Sequence, residues 1–182
     1  DINTINVLFS KYTFHLKPLF RMLMQRVVFL GAVNGHYAAY TSFSRFSDYR
    51  IPFLPISVET PIEHIIQQLN AFQPTIIIVY SSMLPKLAAA QIEGQLNISP
   101  KTITTAGEIL TSNQIDISKK AFGITPRSIY GASESIIIGA DTFSNGGMCL
   151  FNNWNLMETV GENDEPVIGD YGLGVLTNLY NY

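Results

Sequence analysis

The strongest constraint on the fold is the run from Thr75 to Tyr80, T-I-I-I-V-Y, which places β-branched and apolar residues on both faces of an extended chain. A strand with one face in solvent alternates apolar and polar residues, so this unbroken run predicts a central parallel strand that is covered on both sides. Parallel strands need crossover connections, which are usually helices. The run therefore predicts helices before and after it, and Pro74 is expected to end the first of them.

Short apolar runs recur along the chain, with longer amphipathic segments between them. Further strands are predicted at Val27 to Leu30, Phe53 to Ile56, Thr102 to Thr105 and Arg127 to Tyr130. A repeated strand–helix order is typical of an α/β fold with an open, mainly parallel sheet and flanking helices.

Helices are predicted from capping residues and from apolar residues at helical spacing. The clearest signal is Thr60, Pro61 and Glu63, which have the spacing of a capping box with proline in the first turn. The other predicted helices are about Leu16 to Gln25, His36 to Phe46, Ser81 or Ser82 to about Gly94, and Ser112 to Phe122, closed by Gly123.

The pattern changes after residue 140. Short strands separated by Gly, Asn and Asp are predicted at Met148 to Phe151, Leu156 to Val160 and Gly174 to Leu179, and no helix fits between them. This favours a C-terminal antiparallel meander or small barrel. We therefore expect an N-terminal helical segment over residues 1–25, an α/β subdomain over 26–140 and a β-rich subdomain over 141–182.

Composition excludes several classes of function. Of 182 residues, 47% are apolar and 14% are charged, which suits a packed core and not a disordered segment. The net charge of -3 gives no basis for binding nucleic acid or a membrane surface. No run approaches the ~20 apolar residues of a membrane span. Cys149 is the only cysteine, which rules out an internal disulfide and favours a cytoplasmic protein.

The loops after the strands carry the chemistry, because ligands of open α/β sheets bind beyond the carboxyl ends of the strands. Two such loops, residues 106–108 (A-G-E) and 131–134 (G-A-S-E), combine glycine with a carboxylate, and Tyr130 precedes the second. Glycine lets a ligand approach the backbone, a carboxylate can hold a divalent cation, and a ring can stack on a base. The loops predict a pocket for an aromatic group, a phosphate and a metal.

Each residue taken alone also has an ordinary structural interpretation. Tyr130 can be a core or rim aromatic residue, Ser133 and Glu134 can cap a helix, and Gly107 can shape a turn. His36 suits the start of a helix as well as a pocket. The functional interpretation depends on the order in which these residues and their neighbouring segments follow one another along the chain.

That order resembles the motifs of adenylate-forming enzymes of the phenylacetate–coenzyme A ligase type. Residues 129–134 (I-Y-G-A-S-E) resemble the Tyr-Gly-x-Thr-Glu motif, with Ser for Thr, and residues 105–108 (T-A-G-E) resemble the Gly-Gly-Glu turn, with Ala for the first Gly. Three further segments are similar to family motifs: residues 34–39 (N-G-H-Y-A-A), 74–84 and 169–179. The match runs in order from about Arg26 to Tyr182.

The resemblance implies an enzyme that joins a carboxylic acid to AMP, using ATP and Mg²⁺, and then passes the acyl group to a thiol, usually coenzyme A. Ser133 would contact the α-phosphate and Glu134 would bind the metal, which makes them the implied catalytic residues. The implied nucleotide-binding residues are Ala106, Gly107, Glu108, Tyr130, Gly131 and Ser133. The implied acyl-binding residues are His36, Tyr37, Tyr80, Ser81 and Ala132.

Other family segments lie outside the match. The Ser/Thr/Gly-rich phosphate loop normally precedes it, and the ribose-binding segment and the lid domain with its lysine normally follow it. We therefore expect a fragment that is completed by N- and C-terminal segments of the same protein and has little activity alone. The acid, the acceptor and a homodimeric state stay open, because deazaflavin-coenzyme adenylating and capsule-biosynthesis relatives share the same motifs.

Two alternatives fail on their motifs. Residues 131–135 (G-A-S-E-S) lack the final glycine of a hydrolase elbow, and residues 172–174 (G-L-G) lead into a strand and lack the third glycine of a dinucleotide fingerprint. The remaining alternative is a non-catalytic α/β nucleotide-binding or scaffold module that is related to such ligases. Nucleotide binding separates the two classes.

Overall fold

The fold is taken from a computed structural model, which describes residues 25–33, 38–132, 135–142 and 147–179. The helix predicted around Leu16 falls outside these ranges. Within them the chain forms a mixed α/β structure, with a seven-stranded, mainly parallel sheet, flanking helices and a separate two-stranded antiparallel sheet. The predicted fold class is confirmed.

The large sheet has the strand order β2-β1-β3-β4-β5-β6-β7. The first five strands in sequence are parallel, namely β1 (Val27–Gly31), β2 (Phe53–Ser57), β3 (Ile76–Tyr80), β4 (Thr102–Ala106) and β5 (Arg127–Tyr130). Two antiparallel strands, β6 (Gly139–Asp141) and β7 (Met148–Leu150), extend the sheet beyond β5. The small sheet pairs β8 (Asn155–Val160) with β9 (Leu173–Asn178).

The apolar run of β3 is explained by the two cores that it joins. Ile77 and Val79 belong to one buried cluster, whereas Ile76 and Ile78 belong to a second cluster on the other face. Successive side chains of a strand point to opposite faces, so a strand with helices on both sides must be apolar at every position. The predicted central parallel strand is confirmed.

Four α-helices connect the parallel strands. They are α1 (Ala38–Ser44), α2 (Ile62–Phe72), α3 (Leu84–Ile92) and α4 (Ser112–Phe122). Helix α4 has the predicted bounds. Its N-terminus is a capping box between Thr111 and Gln114, and Gly123 ends it in the left-handed conformation with φ 70°. Left-handed backbone favours glycine, so the helix stops at this residue.

The capping box predicted at Thr60 is wrong. Helix α2 begins at Ile62, its cap residue is Pro61, and no side chain caps it. Pro61 adopts an extended ψ of 138°, so its carbonyl accepts the first helical bonds, from the N–H groups of His64 and Ile65. Thr60 therefore lies one residue too early, and Glu63 is not at the third helical position that a capping box needs.

Strand β6 was not predicted from the sequence. It is only three residues long, G-A-D, and it is held by pairing with β5 on one side and β7 on the other.

Burial lowers the pKa of the Arg127 guanidinium in β5, and the charge of Asp141 in β6 opposes that shift. The residue stays charged at neutral pH.

No helix in the described ranges combines the length and the apolar character that crossing a membrane requires.

Candidate functional site

The strand order places the topological switch point of the sheet at the carboxyl ends of β1 and β3, where a ligand crevice is expected. Strand β1 lies between β2 and β3, so the chain leaves β1 toward one side and later crosses to the other. Ligands of open α/β sheets bind at such a switch point. Tyr80 at the end of β3 pairs with Ala106 at the end of β4, and Thr105 pairs with Ser128 in β5. The loops predicted to carry the chemistry therefore lie along one edge.

The ring of Tyr80 lies against two glycines at this edge. A Cβ atom on Gly31 would be 2.6 Å from Cζ of Phe29 and 3.1 Å from Cε1 of Tyr80. Gly107 has φ +78°, and a Cβ atom there would be 3.3 Å from Cε1 of Tyr80. The two glycines thus let the partly buried tyrosine ring lie close to the ends of β1 and β4, beside the switch point.

The carboxylate of Glu108 ties the loop after β4 to the loop after β3. The Ser82 N–H donates to Oε2 of Glu108 at 2.6 Å, and the Ser82 hydroxyl donates to Oε1 at 3.0 Å. The Ser81 hydroxyl donates to the carbonyl oxygen of Glu108 at 3.2 Å. Glu108 therefore caps the 3-10 turn Ser81–Met83 that leads into α3, where a negative group is stabilised by the free N–H groups and the helix dipole.

Helix α4 completes this connection between the loops. The side-chain amide of Gln114 donates to the carbonyl oxygen of Ser81 at 2.9 Å, in addition to its part in the capping box. Ser81 is fully buried, so its hydroxyl is committed to Glu108 and is not exposed to a ligand. Gly31 and Gln114 were not among the predicted site residues. Its position directly after the predicted apolar strand Val27 to Leu30 was the one sequence signal for Gly31.

Removal of the Glu108 charge tests this cap. Glu108→Gln keeps the size of the side chain but turns one acceptor into a donor that faces Ser82, so we expect a loss of about 1.5 kcal/mol in the free energy of unfolding. Glu63→Gln is the matched control, because Glu63 lies in the first turn of α2, whose N-terminus has no side-chain cap; we expect a loss of about 0.4 kcal/mol there. Urea unfolding measures both, and equal losses would contradict the cap.

The loop after β5 is closed by backbone hydrogen bonds. The N–H of Ile138 donates to the carbonyl oxygen of Tyr130 at 2.8 Å, and Ala132 and Ser135 exchange two bonds of 2.9 and 3.1 Å. Gly131 packs against the carbonyl oxygen of Ile136 so closely that a Cβ atom has no room. Tyr130 is 46% exposed, so part of this residue is accessible to a ligand.

The described part of the chain brings together Tyr80, Ala106, Gly107 and Glu108 and sets Tyr130 further along the same edge. His36, Tyr37, Ser133 and Glu134 lie outside the described residues, so their roles stay predictions. Within the described ranges, no group of three or more His, Cys, Asp and Glu side chains is arranged to hold a metal ion.

The chain is similar to several proteins of known structure. No family model and no curated protein sequence matches the chain. An open conformation of 2-hydroxyisobutyryl-CoA ligase, in complex with 2-HIB-AMP and CoA, matches over 87% of the chain with 21% identity and a TM-score of 0.71. The chain shares the fold of adenylate-forming CoA ligases.

Two more structures with this ligase fold match the chain. An ATP-bound MatB chimera covers 97% of it with 11% identity and a TM-score of 0.64. The anthranilate CoA ligase AuaEII, in complex with anthranoyl-AMP, covers 85% of it with 14% identity and a TM-score of 0.62. The chain spans 38%, 35% and 32% of the three matched chains. The two CoA ligases among them are named for different acids, and the phenylacetate type stays a prediction.

Proposed function

We propose that this chain is part of an adenylate-forming ligase that activates a carboxylic acid with ATP. The observation that carries the proposal is the edge of the sheet at the switch point, where Tyr80, Gly107 and Tyr130 end or follow neighbouring strands. These residues belong to the segments that resemble the family motifs. The shared fold supports the proposal, because structures with that fold are named in complex with ATP or an acyl-AMP.

The nucleotide is proposed to bind between the loops after β4 and β5. Tyr130 would stack on the adenine, since the residue is 46% exposed at the end of its strand. Gly107 and Gly131 would line this site, because both residues are exposed. The lack of a Cβ atom lets their loops pack against the Tyr80 ring and the Ile136 carbonyl oxygen. Ala106 and Glu108 would border this site, and Glu108 would act there mainly by fixing the loop through its cap.

The acyl group is proposed to occupy a crevice at the carboxyl ends of β1 and β3. The ring of Tyr80 would give this crevice an aromatic wall, which suits a flat acyl group such as that of an aromatic acid. His36, Tyr37 and Ala132 would complete the pocket. Ser81 would contribute through its bond to Glu108, because its own hydroxyl is buried.

In the proposed first step, a carboxylate oxygen of the acid attacks the α-phosphorus of ATP, the bond to pyrophosphate breaks, and an acyl-adenylate forms. In the second step, a thiol such as that of coenzyme A attacks the acyl carbonyl, loses its proton, and displaces AMP. Ser133 would donate a hydrogen bond to the α-phosphate. The protein would assist mainly by orientation and by stabilising charge.

Magnesium would enter this site together with ATP. Protein-bound Mg²⁺ commonly uses one or two carboxylates together with substrate phosphates and water, so a three-residue cluster is not required. The single carboxylate of Glu134, which follows Ser133 in the sequence, would fit that donor set. When bound, the ion neutralises phosphate charge.

The cytoplasmic location and the homodimeric state of the protein stay predictions.

Calorimetric titration with ATP and AMP in the presence of Mg²⁺ tests the proposed site. Tyr130→Ala should weaken ATP binding about tenfold or more, because stacking on one base contributes roughly 1–3 kcal/mol. Tyr171→Ala is the matched control, since Tyr171 is 100% exposed in the connection between β8 and β9 and has no assigned role in nucleotide binding. The ATP affinity of this variant should equal that of the wild type.

Two outcomes would count against this proposal. A Tyr130→Ala variant that loses affinity for the acid more than for ATP would argue against adenine stacking. No nucleotide binding by the chain, nor by the longest natural polypeptide that contains it, would favour the non-catalytic module. Binding by the longer polypeptide alone would mean that flanking segments complete the site.

A further inference from the structure

Two buried polar side chains lie behind the loop that follows β5. Ser135 is 7% exposed and Asn155 is 2% exposed. The Ser135 hydroxyl donates to Oδ1 of Asn155 at 2.7 Å, and the Asn155 amide donates to the carbonyl oxygen of Ile137 at 3.3 Å. Buried polar groups that lose a partner are costly, so this geometry is held within narrow limits.

The pair joins two different sheets. Ser135 belongs to the connection between β5 and β6, whereas Asn155 is the first residue of β8 in the small sheet. The N–H of Asn155 donates to the carbonyl oxygen of Phe151 at 3.2 Å, and the N–H of Phe151 donates to the carbonyl oxygen of Ile138 at 2.9 Å. Asn155 is thereby anchored to the far end of the same loop, which makes it a fixed support for Ser135.

The position of Ser135 is passed on to the proposed nucleotide site through the backbone. Ser135 exchanges two hydrogen bonds with Ala132, and Ala132 follows Gly131 directly. Gly131 is in turn packed against the carbonyl oxygen of Ile136. With so little free space, a movement of Ser135 must also move residues 130–132.

We propose that Ser135 and Asn155 are positioning residues, which hold Tyr130, Gly131 and Ala132 in the arrangement that binds the nucleotide. The inference rests on the proposed function for its nucleotide part only. The bonds of the pair act on the loop whether or not a ligand is bound. Hydrogen exchange of the loop amides in the free protein therefore tests the pair independently of ATP.

The experiment compares two variants that each lose one buried serine hydroxyl. Ser135→Ala removes the bond to Asn155. Ser118→Ala is the matched control, because Ser118 is fully buried in α4 and its hydroxyl donates to the carbonyl oxygen of Ile124 at 3.1 Å. Both variants should lose similar stability. Only Ser135→Ala should accelerate exchange of the Ala132 and Ser135 amides and weaken ATP binding, each by roughly tenfold.

Further variants separate positioning from general loss of structure. Ser135→Thr keeps the hydroxyl and should restore most of the exchange protection and the ATP affinity. Asn155→Ala also removes the bond to Ile137 and should have a larger effect than Ser135→Ala, and adding Ser135→Ala to it should change little further. Coupling of this kind is expected only when the two side chains act as one unit.

The outcomes distinguish the two proposals. Loop amides that exchange at the wild-type rate in Ser135→Ala would overturn the positioning inference. Equal effects of Ser135→Ala and Ser118→Ala on ATP affinity would overturn it as well, because the loss would then follow from stability alone. The two proposals can also fail separately. If the loop amides exchange faster in Ser135→Ala, but the wild type binds no ATP even as the longest natural polypeptide, the positioning of the loop by Ser135 is supported and the proposed function is rejected.

Discussion

Replacing Glu134 by Gln should lower acid-dependent ATP–pyrophosphate exchange by about a hundredfold or more. The carboxylate is proposed to hold the Mg²⁺ that accompanies ATP, and negative charge is redistributed on the phosphates as pyrophosphate leaves. An amide of the same size keeps the packing but removes the charge. The measurement uses the longest natural polypeptide that contains these residues, with radiolabelled pyrophosphate and saturating acid.

Glu93→Gln provides the control for this experiment. Glu93 follows the last residue of α3, at the end of that helix opposite the loop after β3, so its exposed carboxylate lies far from the proposed site. We expect unchanged exchange in that variant. Exchange at the wild-type rate in Glu134→Gln would contradict the proposed metal role. A fall in ATP affinity with an unchanged maximal rate would show that Glu134 stabilises the bound substrate and the transition state equally, which is not the proposed catalytic role.

Replacing Gly131 by Ala should be the most damaging small substitution in the described part of the site. A Cβ atom there would overlap the carbonyl oxygen of Ile136, and a backbone atom cannot rotate away as a side chain can. We expect a loss of about 3 kcal/mol in the free energy of unfolding, measured by urea denaturation. ATP affinity should fall in parallel, because Tyr130 and Ala132 flank the displaced residue.

Gly147→Ala is the matched control for Gly131→Ala. Gly147 precedes β7, and a Cβ atom there would meet nothing within 4 Å. Alanine should be neutral or slightly stabilising at this position, since it lowers the conformational entropy of the unfolded chain. Equal stabilities of the two alanine variants would show that the loop after β5 can rearrange freely, and would also weaken the case for its positioning by Asn155.

Local patterns determined most of the layered architecture. The run T-I-I-I-V-Y predicts β3 because a strand covered on both faces has no position at which a polar residue is favoured. The bounds of α4 were predictable for a similar reason, since Thr111, Gln114 and Gly123 act within one turn of the helix ends. The loops of the candidate site were also predictable, because parallel strands bring their carboxyl ends to one edge.

Contacts between distant segments were not predictable from such patterns. Strand β6 has no sequence signal of its own and exists because β5 and β7 pair with it. Thr60 and Glu63 have the spacing of a capping box, but Pro61 has an extended backbone conformation, so the helix begins at Ile62, one residue later than predicted. A local pattern limits the secondary structures that a segment can form, and contacts with segments distant in sequence determine which of these structures is formed.

The sequence alone determined the α/β class, the central strand and the order of the strand-end motifs, because these depend on residues within a few positions of one another. Only the tertiary structure decided what supports those motifs. Glu108 bonds to Ser82 across 26 positions, and Ser135 bonds to Asn155 across 20. The folded backbone brings such partners together, and in the buried pair of Ser135 and Asn155 it does so where water cannot take the place of either partner.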